Sequence, residues 1–115
     1  MQKQSLPEEY IGDDKLLLLD FYAAWCGPCE AMNPILQEVG EELEEKVEIV
    51  KIDVDTHPNL AKEYDISGLP TLIIVQEGEI VWRYSGMLSA YHLENIINEF
   101  CERNFKQTNK LLWNK

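Results

Sequence analysis

Leu16-Leu17-Leu18-Leu19-Asp20-Phe21-Tyr22-Ala23-Ala24-Trp25-Cys26-Gly27-Pro28-Cys29 decides the fold of this 115-residue chain. Residues 16–23 are apolar almost without interruption, the pattern of a strand buried on both faces in a sheet with parallel neighbours. The strand runs into Cys26-Gly27-Pro28-Cys29, where a helical spacing of apolar residues begins. Two cysteines two residues apart at the mouth of a helix form a dithiol suited to redox cycling. The reactive species is a thiolate, and a helix N-terminus supplies the unpaired N–H donors and partial positive charge that favour one. Cys26 sits there. Cys29, one turn further in, can attack a mixed disulfide formed on Cys26, and Gly27 and Pro28 shape the turn between them. The other use of such a pair is half of a zinc site. Structural zinc needs four ligands, and beyond the pair there are only Cys101, His57 and His92, none forming a second tight pair, so no metal is expected.

Outward from this stretch, Met32, Ile35, Leu36, Val39 and Leu43 predict a helix over about residues 29–45 with a kink at Pro34. Its other face carries Glu38, Glu41, Glu42, Glu44 and Glu45, a solvated face or a docking surface for a basic partner. Val47 to Val54 alternates and is rich in β-branched residues, giving a βαβ unit with the first strand. Pro58 suits the first turn of a short helix ending near Tyr64. Leu72–Gln76 and Ile80–Ser85 flank Glu77-Gly78, the signal of a hairpin. Ser89 suits the cap of a last helix whose apolar stripe is Leu93, Ile96, Ile97, Phe100 and Cys101.

With 45% hydrophobic residues the chain is long enough for one domain with a core that needs no disulfide staples. Three cysteines do not make a secreted disulfide framework, and Met1-Gln2-Lys3-Gln4-Ser5 leads into no apolar signal segment, so the reducing cytoplasm is the expected compartment. Leu16 to Leu19 is too short a run to span a bilayer, so no membrane partner is expected. A formal charge of -11 argues against nucleic acid as the principal partner. The charge is uneven: Arg103, Lys106, Lys110 and Lys115 are the only charged residues from 103 onward. With Phe105, Leu111, Leu112 and Trp113 this basic tail, 104–115, reads as a docking segment for an anionic surface or partner, or as a disordered end or packed helical extension.

Asp20 is the second clue. A carboxylate buried without a partner costs several kcal/mol, and it responds by raising its pKa or finding a cation. Lys51, in the neighbouring strand, can reach the same layer and pair with it, which makes Asp20 a candidate proton acceptor and donor for Cys29. A strand-end carboxylate meeting solvent is the structural alternative. Pro70, in Ile66-Ser67-Gly68-Leu69-Pro70-Thr71, stands at the start of a strand where it cannot donate to a ladder. By itself the sequence favours a trans Leu69-Pro70 bond.

Taken together these residues resemble the thioredoxin family. The resemblance covers about residues 15–103: the strand before Trp25-Cys26-Gly27-Pro28-Cys29, Asp20 six residues upstream of Cys26, Pro34, Lys51-Ile52-Asp53, Leu69-Pro70-Thr71, Gly78 and Gly86 occur in the family's order. It implies the thioredoxin fold, an α/β architecture with a central mixed β-sheet flanked by helices. The family's N-terminal strand and helix would be abbreviated within the fourteen or so residues available. It implies a protein-disulfide reductase in which Cys26 is the exposed attacking thiol and Cys29 the mostly buried resolving thiol, with Pro70 cis. Leu69 would pair its backbone with an extended substrate segment, and Trp25, Gly68, Gly86 and Met87, with Gly27, Pro28 and Thr71 nearby, would make the substrate-contact surface. The partners implied are disulfide-containing proteins and an NADPH-dependent thioredoxin reductase that carries the flavin; the chain itself would hold no cofactor and act as a monomer.

The departures from the family pattern also matter. Glu30 stands where a basic residue is common, and a carboxylate disfavours a nearby thiolate, implying a shifted potential. Ser67 replaces another commonly basic position. Cys101, on the apolar stripe of the last helix, reads as an inert core cysteine. An oxidant or isomerase on the same fold, and a non-catalytic binding module, are the alternatives to reduction.

Overall fold

A computed structural model describes residues 15–113, and of residues 104–113 the backbone alone. β1 (Leu16–Tyr22) is an inner strand of a four-stranded sheet in the order β2 (Val47–Asp53), β1, β3 (Thr71–Gln76), β4 (Glu79–Ser85). It runs parallel to β2, with Asp20 opposite Lys51, and antiparallel to β3, with Leu19 opposite Ile73. The expectation of parallel neighbours therefore holds on one side only. What makes β1 continuously apolar is burial of both faces, which is independent of the neighbours' direction.

The two faces are different cores. Leu16 and Leu18, with Leu72 and Ile74, pack against Met32, Leu36 and Val39 of α1 (Gly27–Glu42) and Leu93 and Ile97 of α3 (Ala90–Trp113). Leu17, Leu19 and Phe21, with Ile73 and Val75, pack against Leu60 of α2 (Pro58–Glu63) and Tyr64, whose ring lies 5.4 Å from that of Phe21. The mixed sheet with helices on both faces is the architecture implied by the family resemblance.

α1 starts two residues earlier than its apolar spacing indicates. Gly27 and Pro28 fill the first turn, where a missing N–H costs nothing. It ends near Leu43 rather than residue 45, because the N–H groups of Lys46 and Val47 turn back to the Leu43 carbonyl, at 2.8 and 3.0 Å, and launch β2. Pro34 lies inside the helix, and the five glutamates of the outer face are exposed. Ser89 caps α3: its Oγ accepts the His92 N–H at 3.1 Å. Leu93 and Ile97 are fully buried, with Ile96, Phe100 and Cys101 packed beside them. The helix continues through the basic segment to Trp113, so its backbone is a helical extension. Expectations about the N-terminal strand and helix, and about the tail's side chains, lie outside the described residues.

Between β3 and β4, Glu77 and Gly78 form a two-residue loop with φ of +53° and +82°, and Gln76 pairs with Glu79 across it. Positive φ at both loop residues matches the twist of the flanking strands. Space is not what selects glycine there, since a Cβ at Gly78 would meet nothing within 4 Å. Gly78→Ala should therefore lower stability through backbone strain alone, by about 1 kcal/mol, seen as a lower urea midpoint with an unchanged m-value.

Candidate active site

The dithiol sits where β1 hands over to α1. Cys26 is the N-cap residue of α1, with extended backbone, and its Sγ accepts the N–H of Cys29 at 3.2 Å. A sulfur thus takes the place of the usual capping oxygen, so one of the helix's free donors and its positive end point at the atom that must carry charge. Cys26 and Cys29 are joined in a disulfide with Cα atoms 5.3 Å apart. In this oxidised state Cys26 is 7% exposed and Cys29 3%, a smaller contrast than an exposed attacking thiol beside a buried resolving one. Ala23, Tyr22, Val54 and Leu69 surround the pair.

Asp20 follows Leu16 and Leu18 on the α1-facing side of β1, two residues before the strand ends at Tyr22. It is 1% exposed, and neither carboxyl oxygen meets a hydrogen-bond partner among the described residues. Burial pushes its pKa from 3.8 up to about 6, and the positive charge of Lys51 opposes the rise. The reading of Asp20 as solvent-facing is therefore set aside. The expected Asp20–Lys51 pair needs correction, because no ion pair joins them. The two residues are opposite in register, yet the Lys51 ammonium hydrogen-bonds Asn33 Oδ1 on α1 and lies 4.7 Å from the centre of the Tyr22 ring. Lys51 is an exposed side chain and keeps its ammonium wet, whereas a close pair with Asp20 would bury it.

The remaining predicted site residues come from separate loops that meet around the disulfide. Trp25 is 72% exposed, with its indole Nε1 donating to Asp55 Oδ2 at 2.8 Å, so the ring is both held and presented. Gly27 and Pro28 are exposed in the first turn of α1. The Leu69-Pro70 peptide is cis, against the local preference and in line with the family resemblance. Pro70 is buried; its carbonyl accepts the Gly86 N–H at 2.8 Å, and the Thr71 hydroxyl donates to Gly68 O at 2.6 Å and bonds Ser85 Oγ at 2.8 Å. Leu69 packs on the cysteines, and among the described residues its backbone N–H and C=O have no hydrogen-bond partner. Met87 is 44% exposed next to Gly86, whose φ is +121°. Glu30 and Ser67 are exposed, and Cys101 is half-buried, its thiol pushed up by burial.

Asn33, Asp55 and Ser85 were missed by sequence reasoning. Asp55 carried a faint signal: Asp53-Val54-Asp55 forms a turn in which the Asp55 N–H meets Asp53 Oδ1 at 2.8 Å, a common use of aspartate after a strand. Asn33 and Ser85 carried none, since their partners lie eighteen and fourteen residues away in sequence.

The family model for thioredoxin matches residues 2–99. The chain is 45% identical over 89 residues to chloroplastic thioredoxin Y1 of Arabidopsis thaliana, covering 77% of this chain and 52% of that protein. It is 44% identical over 92 residues to a thioredoxin-like protein of Synechocystis sp., covering 80% and 88%. Among solved structures it is similar to chloroplastic thioredoxin z, with a TM-score of 0.76 at 36% identity, covering 86% and 89% of the two chains. The chain spans about half the length of the type-Y relatives. Those relatives, from Arabidopsis thaliana and Oryza sativa, are chloroplastic, and they overturn the expected cytoplasmic location. An apolar leader serves export, whereas transit peptides are amphipathic, so the first residues addressed secretion alone.

The buried carboxyl has a thermodynamic consequence. Its pKa is higher folded than unfolded, so the native state binds the extra proton between pH 3.8 and about 6, and stability is lost as pH rises through that window. Asp20→Asn removes this loss. Chemical denaturation should find the variant more stable by about 3 kcal/mol near pH 7.5 and nearly equal to wild type near pH 3.5; equal stabilities at both pH values would rule out a raised pKa.

Proposed function

The chain belongs to the thioredoxin family, and on that premise we propose that it is a thiol-disulfide oxidoreductase that reduces protein disulfides at Cys26 and Cys29. The observation that carries this reading is the Cys29 N–H aimed at Cys26 Sγ on the N-terminus of α1. That geometry favours a thiolate on Cys26 and not on Cys29, which assigns attack to the first and resolution to the second.

In the reduced protein, Cys26 thiolate attacks one sulfur of a substrate disulfide; a mixed disulfide forms and the substrate's other sulfur leaves as a thiolate. Cys29 then gives its proton to the Asp20 carboxylate and attacks Cys26 Sγ. The intramolecular disulfide forms, and the second substrate sulfur leaves as a thiolate that takes up a proton. Two electrons have passed from the dithiol to the substrate. Lys51 biases Asp20 towards the ionised form that can accept the proton. The substrate enters as an extended segment, its backbone on the free N–H and C=O of Leu69 and its side chains against Trp25, Met87, Gly68 and Gly86, with Pro70 and Thr71 shaping the loop. Main-chain pairing makes binding largely independent of substrate sequence. A thioredoxin reductase drawing on NADPH recharges the disulfide, and the chain acts as a monomer that holds no cofactor.

No observation favours the oxidant or the binding-module reading. Glu30 follows Cys29 in the chain, and a carboxylate disfavours a nearby thiolate, which argues for a stable disulfide and a reducing dithiol. Titrated against dithiothreitol buffers with Trp25 fluorescence and alkylatable thiols followed together, the pair should show a reversible two-electron step well below the glutathione poise. Cys26→Ser should abolish insulin reduction, and Cys29→Ser should accumulate mixed disulfides. A potential at or above that poise, or catalytic turnover by Cys26→Ser, would overturn the assignment.

A further inference from the structure

Lys51 is held by a residue from outside its own strand. Its ammonium hydrogen-bonds the side-chain carbonyl of Asn33, one turn beyond Cys29 on α1, and lies over the Tyr22 ring from β1, 4.7 Å from its centre. Beside it is an open groove of about 380 Å³ lined by Asn33, Leu36, Gln37, Gly40, Ile49 and Lys51. A lysine at the edge of such a groove, on a flexible four-carbon stem, has ample room to carry its charge away from the sheet. Two contacts from two elements prevent that.

We propose that Asn33 is a positioning residue: its side-chain carbonyl, together with the Tyr22 ring, clamps the ammonium of Lys51, the residue opposite Asp20 in the sheet, and thereby sets the pH at which Asp20 ionises. Opposite Asp20 in register stand Lys51 on β2 and the uncharged Leu72 on β3. Lys51 is the charge acting on it, so moving the ammonium moves the titration. Asparagine suits the clamp because it accepts a hydrogen bond without bringing a charge. A carboxylate at position 33 would hold Lys51 equally well but would cancel its field at Asp20. The clamp is a claim about ionisation; its effect on turnover rests on the proton role proposed above for Asp20.

The test is an NMR titration of the Asp20 carboxyl carbon in the oxidised protein, where neither Cys26 nor Cys29 titrates and thiol coupling is absent. Asn33 is exposed on α1 and alanine is the best helix former, so Asn33→Ala keeps the fold, which the same spectra report. Asn33→Ala should raise the Asp20 midpoint by about half a pH unit or more, Lys51→Met by at least as much, and the double variant no further than Lys51→Met alone. At pH values below the midpoint, half a unit is about a threefold loss of ionised Asp20. An unchanged midpoint in Asn33→Ala, or an equal shift from Asn33→Ala in the Lys51→Met background, overturns the clamp. Insulin reduction by Asp20→Asn is scored separately: a full rate there refutes the proton role, while a raised midpoint in Asn33→Ala still upholds the clamp.

Discussion

The site depends on one hydrogen bond, from the N–H of Cys29 to the sulfur of Cys26. It exists because α1 begins at residue 27, and α1 begins there because β1, buried on both faces, fixes where the chain leaves the sheet. A strand with one solvated face could shift or tilt at modest cost. A strand whose side chains fill two cores has one register. The rigidity of β1 is thereby transmitted through four connecting residues, Ala23 to Cys26, to the orientation of a peptide N–H at a sulfur. The sheet fixes the polarity of the dithiol, and the cysteines themselves differ only in their distance from the helix end.

Asp20 shows what this arrangement costs. Every other inward residue of β1 adds apolar burial, whereas the carboxyl has no hydrogen-bond partner among the described residues and keeps its charge only through Lys51 at a distance. A close ion pair would stabilise the carboxylate but would also hold it ionised well below neutrality and leave it a weak base. Full isolation would keep it protonated and unable to accept a proton. With burial raising and Lys51 lowering its pKa, the group stands at about 6, where it can both take and release a proton near neutral pH. Proteins tend to break the rules of core packing where function requires it, and the proton role proposed for Asp20 would make it such a place.

Local pattern carried the parts of this structure that depend on neighbours in sequence. The dithiol at a helix mouth, the buried run of β1, the Glu77-Gly78 loop and the Ser89 cap all follow from short contiguous stretches of sequence. The parts set by long-range side-chain geometry were out of reach. Asn33 holds Lys51, Asp55 holds Trp25 and Ser85 holds Thr71 across fourteen to thirty residues of chain, and nothing in a single sequence marks such partners. Lys51 was half legible: alternation put it on the right face opposite Asp20, but the choice between pairing and solvation turned on a third residue. The direction of β3 was lost for a different reason, since burial on both faces erases the alternation that would separate parallel from antiparallel neighbours. Cysteine usage reports the redox state of a compartment and not its address, which is why a cytoplasmic reading gave way to chloroplastic relatives.

The contact surface around the disulfide combines fixed anchors with an unsatisfied backbone. Trp25 would lose rotamer freedom on binding if it were loose, but its indole is already tied to Asp55 while most of the ring stays in water. The loop at Pro70 is tied twice to the end of β4, through Gly86 N–H and through the Thr71–Ser85 hydroxyls. Ordering costs are thus met in the free protein, and a substrate strand meets a surface that does not have to rearrange. Among the described residues the Leu69 main chain has no hydrogen-bond partner, and in the proposed binding mode an extended peptide would satisfy it. In that proposed mode selectivity would come from what surrounds the strand, namely the exposed Trp25 and Met87, the acidic face of α1 and the serine at position 67. On the proposed binding mode, a rigid rim around the Leu69 main chain would let one dithiol serve many disulfides.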